Sequence, residues 1–363
     1  MFIANPFDAE GATSCSSTEP CLNLQTDGIL PISQLLTTAG QPTSVYIPKA
    51  DQTSNVQQWN MTWEREVAPN TVIRAAYVAS KGDHLFIALN ENVAVPGPGP
   101  VAPRRPYPDF AKISTWEPRG PSSYNSFQLS AEKRYGHGLW FEAAYTYSKS
   151  LDNGGGGNSS IGESRINIQN PKDVRADYGL SSFDYRNRFT LAHSFDIPVG
   201  RGHHILSTAG AATQAVLGGW QLQGIATLQS GTTLTPQLAS ATANTGTFTR
   251  PNRICNGNFP ASQRSINEWF DLACFVNPPV YEFGNSGRNI IIGPGLTTYD
   301  LGLHKDFALT EKMGLTFRGE FFNIFNTPNF NLPDRSIGVS SSGTINSVIS
   351  NAREIQFALR LHF

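Results

Sequence analysis

Charged side chains are densest in one short segment of the sequence. Three aspartates and three arginines lie close together there: Asp173, Arg175, Asp177, Asp184, Arg186 and Arg188. Such a cluster can guide polar cargo, because fixed charges attract and orient polar groups. It can also be a set of charges that are solvated at the end of a fold, and this second interpretation is favoured for a charge run alone.

Motifs for catalysis are absent from the rest of the sequence. It contains no G-x-S-x-G, H-E-x-x-H, C-x-x-C or phosphate-binding loop, the patterns that place nucleophiles, zinc ligands and phosphates. His203 and His204 have no third ligand at a useful spacing, and no helix follows the glycine-rich run 154–160. We expect the two histidines to lie in a solvated turn and the glycine-rich run to form a surface loop. We also expect a protein that is neither an enzyme nor a binder of metals or cofactors.

The four cysteines form two local pairs, Cys15 with Cys21 and Cys255 with Cys274. Each pair lies in loop-like sequence without further metal ligands nearby. An even number of locally paired cysteines is typical of disulfides formed in an oxidising compartment. The pattern favours two disulfides and a location outside the cytoplasm, with four free thiols as the alternative.

The composition narrows the class of fold. The chain has 363 residues, a net charge of −1, 15% charged and 11% aromatic residues. No apolar run approaches the roughly 20 residues of a membrane-spanning helix, and there is no basic run of the kind that nucleic-acid binding requires. Few charges and many aromatic, Asn, Ser, Thr and Gly residues suit a transmembrane β-barrel, whose strands have one apolar and one polar face. A large soluble all-β protein is the alternative.

Apolar and polar residues alternate along most of the chain, which is the period of a β-strand. Nine segments are predicted as strands: Gln57–Arg65, Thr71–Ser80, Ser123–Arg134, Leu139–Lys149, Asp184–Ile197, Gly218–Ser230, Thr298–Leu309, Gly314–Phe325 and Ile355–Phe363. Ser44–Pro48 is a candidate tenth strand, and Gln34–Gly40 and Thr208–Leu217 are candidate short helices. Most of the strands exceed the globular mode of about 5–6 residues.

The predicted connections alternate between short and long. Tight turns at 68–70, 135–138 and 310–313 and an intermediate connection at 198–217 separate long connections at 82–122, 150–183, 231–297 and 326–351. Structureless loops above about 15 residues are uncommon in compact soluble domains. In an up-and-down sheet this alternation places every long loop at one end, as in outer-membrane barrels. The sequence therefore predicts an all-β, antiparallel, up-and-down transmembrane β-barrel segment.

The last predicted strand continues to the final residue, Phe363. Outer-membrane proteins tend to end on an assembly signal of the form polar-x-Gly-x-x-apolar-x-aromatic. Gln356, Ala358, Leu361 and Phe363 occupy those positions, although alanine replaces glycine and the apolar residue is aliphatic. We expect Phe363 to lie at the inner membrane interface and the outer-membrane assembly machinery to recognise this strand.

Five segments carry a resemblance to a known family. They are DVRADYGLSSFDYRNRFTLAHSFDIPVGRG, LGGWQLQGIATLQSGTTLTP, FGNSGRNIIIGPGLTTYDLGLHKDF, LTFRGEFFNIFNTPNF and REIQFALRLHF. Over about residues 51–363 the sequence resembles the C-terminal barrel half of an Oar-like TonB-dependent outer-membrane receptor of acidobacterial type. The resemblance implies a barrel of about 22 strands, an N-terminal plug, an N-terminal carboxypeptidase-regulatory-like sandwich and transport driven by TonB.

The resemblance also implies a domain organisation and partners. Residues 1–50 are expected to form an irregular loop or a remnant of the preceding barrel region, and residues 51–363 the barrel segment. No signal peptide, plug or TonB box is apparent, so we expect a fragment or truncated product that reaches TonB only through a missing plug. Nine or ten strands would form a strongly curved open sheet in the bacterial outer membrane, in contact with its lipid.

Three functions are compatible with the sequence. The first is uptake or export of an unknown substrate, which requires a polar lumen, cargo-binding loops and an energised plug rather than catalytic residues. The second is a structural or adhesive outer-membrane protein whose long loops bind partners. The third is a soluble β-sandwich that binds glycans.

Overall fold

A computed structural model shows one long antiparallel sheet. It describes residues 41, 43–46, 52–154, 168–200, 202–203, 205–310 and 312–363. The candidate helix Gln34–Gly40, the pair Cys15 and Cys21, and most of the glycine-rich run 154–160 lie outside these residues.

Nine long strands cross this sheet in chain order. They are β2 (Asn55–Ala68), β3 (Thr71–Asn90), β4 (Lys112–Gly136), β5 (Leu139–Asp152), β7 (Asn187–Asp196), β8 (Trp220–Gln229), β14 (Leu296–Ala308), β15 (Gly314–Phe322) and β17 (Glu354–His362). Each pairs antiparallel with the next in this series. The predicted all-β, up-and-down arrangement is confirmed. The end strands β2 and β17 do not pair with each other, so the sheet is open.

The two faces of the sheet differ because successive side chains of a strand point to opposite sides. In β7, Leu191 lies between Ala143 and Ala226 of the neighbouring strands, whereas Ala192 lies beside Glu142 on the other face. The apolar face carries exposed large side chains, including Trp59, Met61, Trp63, Tyr77, Phe127, Leu129, Tyr147, Leu228, Phe357 and Leu359. Strands surrounded by lipid require such a face.

Strands β3 and β4 are longer than the sequence predicted. The prediction of a loop over 82–122 is wrong, because the connection comprises only residues 91–111. The register shifts between Gly82 and Leu85, where His84 has a φ of 57°, and β3 continues past this irregularity. A local bulge of this kind lets a strand continue through a segment whose composition indicates a loop.

Two prolines of β4 lie in the segment that the sequence predicted as a loop. Pro118 and Pro121 lie beyond the end of β5, in a part of β4 whose partner is β3 alone. A strand with one free side tolerates proline, because no ladder hydrogen bond is lost there. The candidate tenth strand is present only as β1 (Thr43–Tyr46), which pairs parallel with the start of β4 and does not extend the up-and-down series.

The long connections pack together at one end of the sheet. We define the loop layer as residues 168–186, 230–295 and 323–353. Short strands pair in this layer. β10 (Gln237–Leu238) and β16 (Ser336–Ile337) join two of the connections, and β6 (Gly179–Leu180) pairs with β5. β9 (Thr233–Leu234) pairs with β13 (Ile291–Ile292), and β11 (Asn252–Arg253) with β12 (Phe275–Val276), within the connection 230–295. Single-turn 3₁₀ helices occur at Val174–Asp177, Ala261–Gln263 and Leu272–Cys274, and at Ala102–Arg104 in the connection between β3 and β4.

The loop layer has a hydrophobic core of its own. Its buried members are Leu234, Leu238, Phe270, Cys274, Phe275, Ile291 and Ile337, with Trp269 and Leu332 packed against them. These residues come from two connections that are distant in sequence, so the layer behaves as a packed unit rather than as separate loops.

The other end of the sheet has compact connections. Asn70 and His137 adopt positive φ angles of 60° and 54° in two tight turns. The connection between β7 and β8 contains the helix Ala211–Leu217, within the predicted segment 208–217. Lys305 of β14 donates a hydrogen bond to the carbonyl of Val216 near the end of this helix, at 3.1 Å. Among the described residues, no helix has the length and apolar character needed to cross a membrane.

Candidate functional site

The predicted charge cluster does not form one site. Asp173 caps the 3₁₀ helix Val174–Asp177 by accepting a hydrogen bond from a backbone N–H at 3.3 Å. Asp177 at the other end of this helix is buried and forms an ion pair with Arg250, which is also buried. Burial raises the pKa of Asp177, and the guanidinium of Arg250 opposes this shift. Arg288 donates a hydrogen bond from Nε to the backbone oxygen of Asp177 at 3.0 Å.

The remaining members of the cluster have different roles. Asp184 is buried, accepts a hydrogen bond from the backbone N–H of Ser150 at 2.6 Å, and pairs with Arg186 at 3.4 Å. Arg175 and Arg188 are exposed, and Arg188 lies on the polar face of β7. Asp177 therefore joins two connections of the loop layer, Asp184 holds the layer on β5, and Arg188 lines the polar face.

A second buried ion pair joins Arg288 to Asp152 at the end of β5. Arg288 also donates a hydrogen bond to the backbone oxygen of Asp152 at 2.7 Å. No signal in the sequence pointed to Arg250, Arg288 or Asp152. Arg250 lies 73 positions from Asp177, and Arg288 lies 136 positions from Asp152. Nothing in local spacing indicates that such residues meet.

The polar face of the sheet carries charged, amide and hydroxyl side chains along its strands. Glu64 and Arg74 pair across β2 and β3 at 2.7 Å, both about half exposed. Glu320 accepts a hydrogen bond from Gln356 of β17. Further polar residues on this face are Gln58, Gln128, Glu132, Thr146, Gln223, His304, Asp306 and Arg318. Exposed pairs add little stability, but they provide a polar surface along the length of the strands.

A cavity of about 1100 Å³ lies where the connection between β3 and β4 meets the loop layer. Its walls are mainly apolar and include Val93, Val95, Tyr107, Phe110, Ile113 and Phe283. Glu91, Glu117 and the exposed Lys172 are the charged side chains that line it. Concave sites of this size with a few polar groups are typical of small-molecule binding.

Cys255 and Cys274 lie in one connection of the sheet and His203 lies in another. Cys255 and Cys274 form a disulfide with Cα atoms 4.9 Å apart. Together with Asp271 they are the close group of metal-ligating residue types in the described part of the chain, but disulfide sulfurs are not the thiolates that metals bind. His203 is exposed in the connection between β7 and β8, and His204 lies outside the described residues.

The C-terminal residues lie on the free edge of the sheet. Leu361 of β17 is opposite Leu315 on the apolar face, while Gln356 and Ala358 point to the polar face. Phe363 follows the strand and is 96% exposed. An exposed aromatic residue at the end of the last strand suits an interfacial position in a membrane.

Nine long antiparallel strands, one apolar and one polar face, and long loops at one end define an outer-membrane β-barrel domain. The chain belongs to the family described as "Outer membrane beta barrel domain", whose model matches residues 3–356. It is therefore a protein of the bacterial outer membrane. No curated protein matches the sequence.

Several solved structures are similar to the chain. The outer membrane transporter YddB from Escherichia coli has 11% identity and a TM-score of 0.47, over 88% of this chain and 34% of that one. The pyoverdine outer membrane receptor FpvA from Pseudomonas aeruginosa PAO1, bound to pyoverdine, has 12% identity and a TM-score of 0.38, over 85% of this chain and 30% of that one. The chain thus spans about a third of the length of these proteins.

Proposed function

We propose that the chain is barrel-forming sequence of a TonB-dependent transporter or receptor of the Oar-like type. The observation that carries this proposal is a polar sheet face combined with a packed loop layer at one end. A transporter needs a rigid surface that recognises cargo and a hydrated wall along which the cargo moves. The five sequence segments that resemble Oar-like receptors support the same function.

The open sheet indicates how the chain would work within a larger barrel. The unpaired backbone groups on the free edges of β2 and β17 are costly in lipid, where no water can satisfy them. We propose that further strands cover both edges, that residues 51–363 form the barrel segment, and that residues 1–50 connect it to the preceding part. TonB would then act through a plug outside this chain.

The decisive experiment is a binding assay with the periplasmic domain of TonB. The complete product of the reading frame that contains this chain should bind TonB, and the 363-residue chain alone should not. If the complete product fails to bind TonB while folded in membranes, the transport function is wrong and the outer-membrane barrel assignment is unaffected.

A second function is favoured by apolar side chains on the outside of the loop layer. Ile254, Val280, Val348 and Ile349 are exposed there, and exposed apolar groups on a rigid surface are typical of protein interfaces. An adhesive role predicts that replacing Ile254 and Val280 by serine reduces cell-to-cell or cell-to-surface attachment. Unchanged attachment, with unchanged surface display, would remove this alternative.

The C-terminal strand carries a separate proposal about assembly. We propose that Gln356, Ala358, Leu361 and Phe363 are read by the outer-membrane assembly machinery. Deleting Phe363 from the complete product should lower the amount of heat-modifiable, folded protein in the outer membrane. Replacing Ala358 by glycine should match the usual signal better and is the control that should not lower it. Wild-type levels after the deletion would contradict the proposal.

A further inference from the structure

The cavity beside the loop layer contains an incompletely satisfied set of polar groups. Glu117 pairs with Arg119 at 3.2 Å and accepts a hydrogen bond from Thr115 at 3.4 Å. By contrast, Oε1 of Glu91 is buried and has no hydrogen-bond partner. The hydroxyl of Ser44, a residue only 4% exposed, is also without a partner. Buried polar atoms are rarely left unpaired, and both residues line the cavity, so this part of its wall is incompletely satisfied.

The wall around these groups is held in place by a buried amide. Asn92 donates hydrogen bonds from Nδ2 to the backbone oxygens of Tyr107 and Phe110 at 3.0 and 2.7 Å, and accepts one from the N–H of Tyr107 at 2.9 Å. The backbone N–H of Glu91 donates to the carbonyl of Ile113 at 2.9 Å. These contacts fix the carboxylate and the aromatic wall relative to each other, and a preorganised site loses little entropy on binding.

The electrostatics at Glu91 favour a positively charged partner. Burial raises the pKa of Glu91, the carboxylate of Glu117 raises it further, and Arg119 opposes both effects. Arg119 is already engaged by Glu117. The cavity is therefore lined by Glu117, which is paired with Arg119, by Glu91, whose Oε1 has no hydrogen-bond partner, and by the exposed Lys172.

Other classes of ligand fit this site less well. An anion would meet two carboxylates and only one lining cation, the exposed Lys172, and an uncharged apolar molecule would offer Glu91 no hydrogen bond. A divalent metal requires several oxygen ligands in a compact shell, whereas the walls here are mainly apolar and aromatic. A cation with an apolar body satisfies both the carboxylate and the walls.

We propose that this cavity binds a small organic cation, with an ammonium group beside Glu91 and an apolar or aromatic body against Tyr107, Phe110 and Ile113. The inference rests on the proposed receptor function, because it names the chemical class of the cargo that the loops would recognise.

The test uses three probes that share one aromatic body and differ in charge: phenethylammonium, 2-phenylethanol and phenylacetate. The full chain is purified in a non-ionic maltoside detergent, and calorimetric titrations are corrected with protein-free micelles. Phenethylammonium should bind about tenfold or more tightly than 2-phenylethanol, because a charge-assisted hydrogen bond is formed. Phenylacetate should not bind detectably.

The variant Glu91→Gln removes the charge and keeps the shape of the side chain. It should weaken phenethylammonium binding about tenfold and leave 2-phenylethanol binding unchanged. Glu282→Gln, at an exposed residue next to Phe283, is the matched control and should change neither. Equal affinity for the ammonium and alcohol probes, no binding of any probe, or full ammonium affinity in Glu91→Gln would overturn the proposal. None of these results depends on TonB, so the cargo class and the transport function fail separately.

Discussion

The sheet and the loop layer place their apolar and charged side chains in opposite ways. In the sheet, large apolar residues such as Met61 and Phe357 are exposed, and charged residues such as Glu64 and Arg74 lie on the opposite face. In the loop layer, Phe270 is fully buried, and buried charges are paired with each other. The sheet suits lipid on one face and water on the other, whereas the loop layer has the buried core of a protein surrounded by water.

This difference shows which interactions each region depends on. Backbone ladders satisfy the polar groups of the sheet, and lipid surrounds its apolar face, so the strands need no internal hydrophobic core. The loops have few regular hydrogen bonds and must bury apolar area and pair their charges. Changes to buried charges should therefore damage the loop layer first, and charges placed on the apolar face should damage the sheet first.

The largest effect is expected at the buried ion pair of the loop layer. Arg250→Met leaves Asp177 buried without its partner, which should cost about 3–5 kcal/mol. Hydrogen exchange should show opening of residues 168–186 and 230–295 while the strands stay protected. The control Arg74→Met breaks an exposed pair on the polar face and should cost at most about 1 kcal/mol. Equal losses from the two variants would show that the two regions do not differ in this way.

The next effect is expected at the middle of β7, where two neighbouring residues face different surroundings. Leu191→Arg places a charge on the apolar face and should cost about 2–4 kcal/mol in denaturant unfolding from lipid vesicles. Ala192→Arg projects beside Glu142 on the polar face and should cost little.

The surroundings themselves can be measured with probes attached to cysteines at the same two positions. Lipid-soluble quenchers should reach position 191, and water-soluble quenchers should reach position 192. Shielding of position 191 from both reagents would mean that this face packs against protein, contrary to the barrel assignment.

A third effect concerns the covalent link of the loop layer. The disulfide between Cys255 and Cys274 closes a segment with a sequence separation of 19, and losing it should cost about 3 kcal/mol in a chain-entropy model. Reduction should speed proteolysis of residues 230–295 and leave the strands intact. The double variant Cys255→Ser, Cys274→Ser should already be cleaved quickly and gain no further sensitivity from reductant. An unchanged cleavage rate in this variant would argue against a stabilising role.

The smallest effect is a pH dependence at the cavity. Because the folded-state pKa of Glu91 is raised, the folded protein binds more protons than the unfolded chain at and above the ordinary value of 4.5. Stability should therefore fall slightly as pH rises from about 4.5 through the raised pKa. The charged and titratable groups around Glu91 are Glu117, Arg119, Lys172, Tyr46 and Tyr107.

The variant Glu91→Gln isolates this contribution in pH-dependent unfolding measurements. It should remove the slope in that pH window, whereas Glu132→Gln on the polar face should leave the slope unchanged. A slope that is equally steep in Glu91→Gln would assign the effect to another group.

The sequence by itself determined the nine strands, their faces and the end of the sheet that carries the long loops. Side-chain alternation is a local property, so it survives whatever the strands pair with. The same local pattern predicted a loop over 82–122, where β3 instead continues past an irregularity at His84 and Pro118 is accommodated on the free side of β4.

Only the tertiary structure decided which charges of the candidate site meet. The run from Asp173 to Arg188 was visible in the sequence, but Asp177 and Asp184 became buried supports of the loop layer. Their environment depends on Arg250 and Arg288, which the connection 230–295 supplies, and on Ser150 of β5. The cavity around Glu91 also combines β1, β4 and three connections. Strand faces follow from neighbouring residues, whereas burial and pairing follow from contacts between residues 34 to 136 positions apart, which no local pattern encodes.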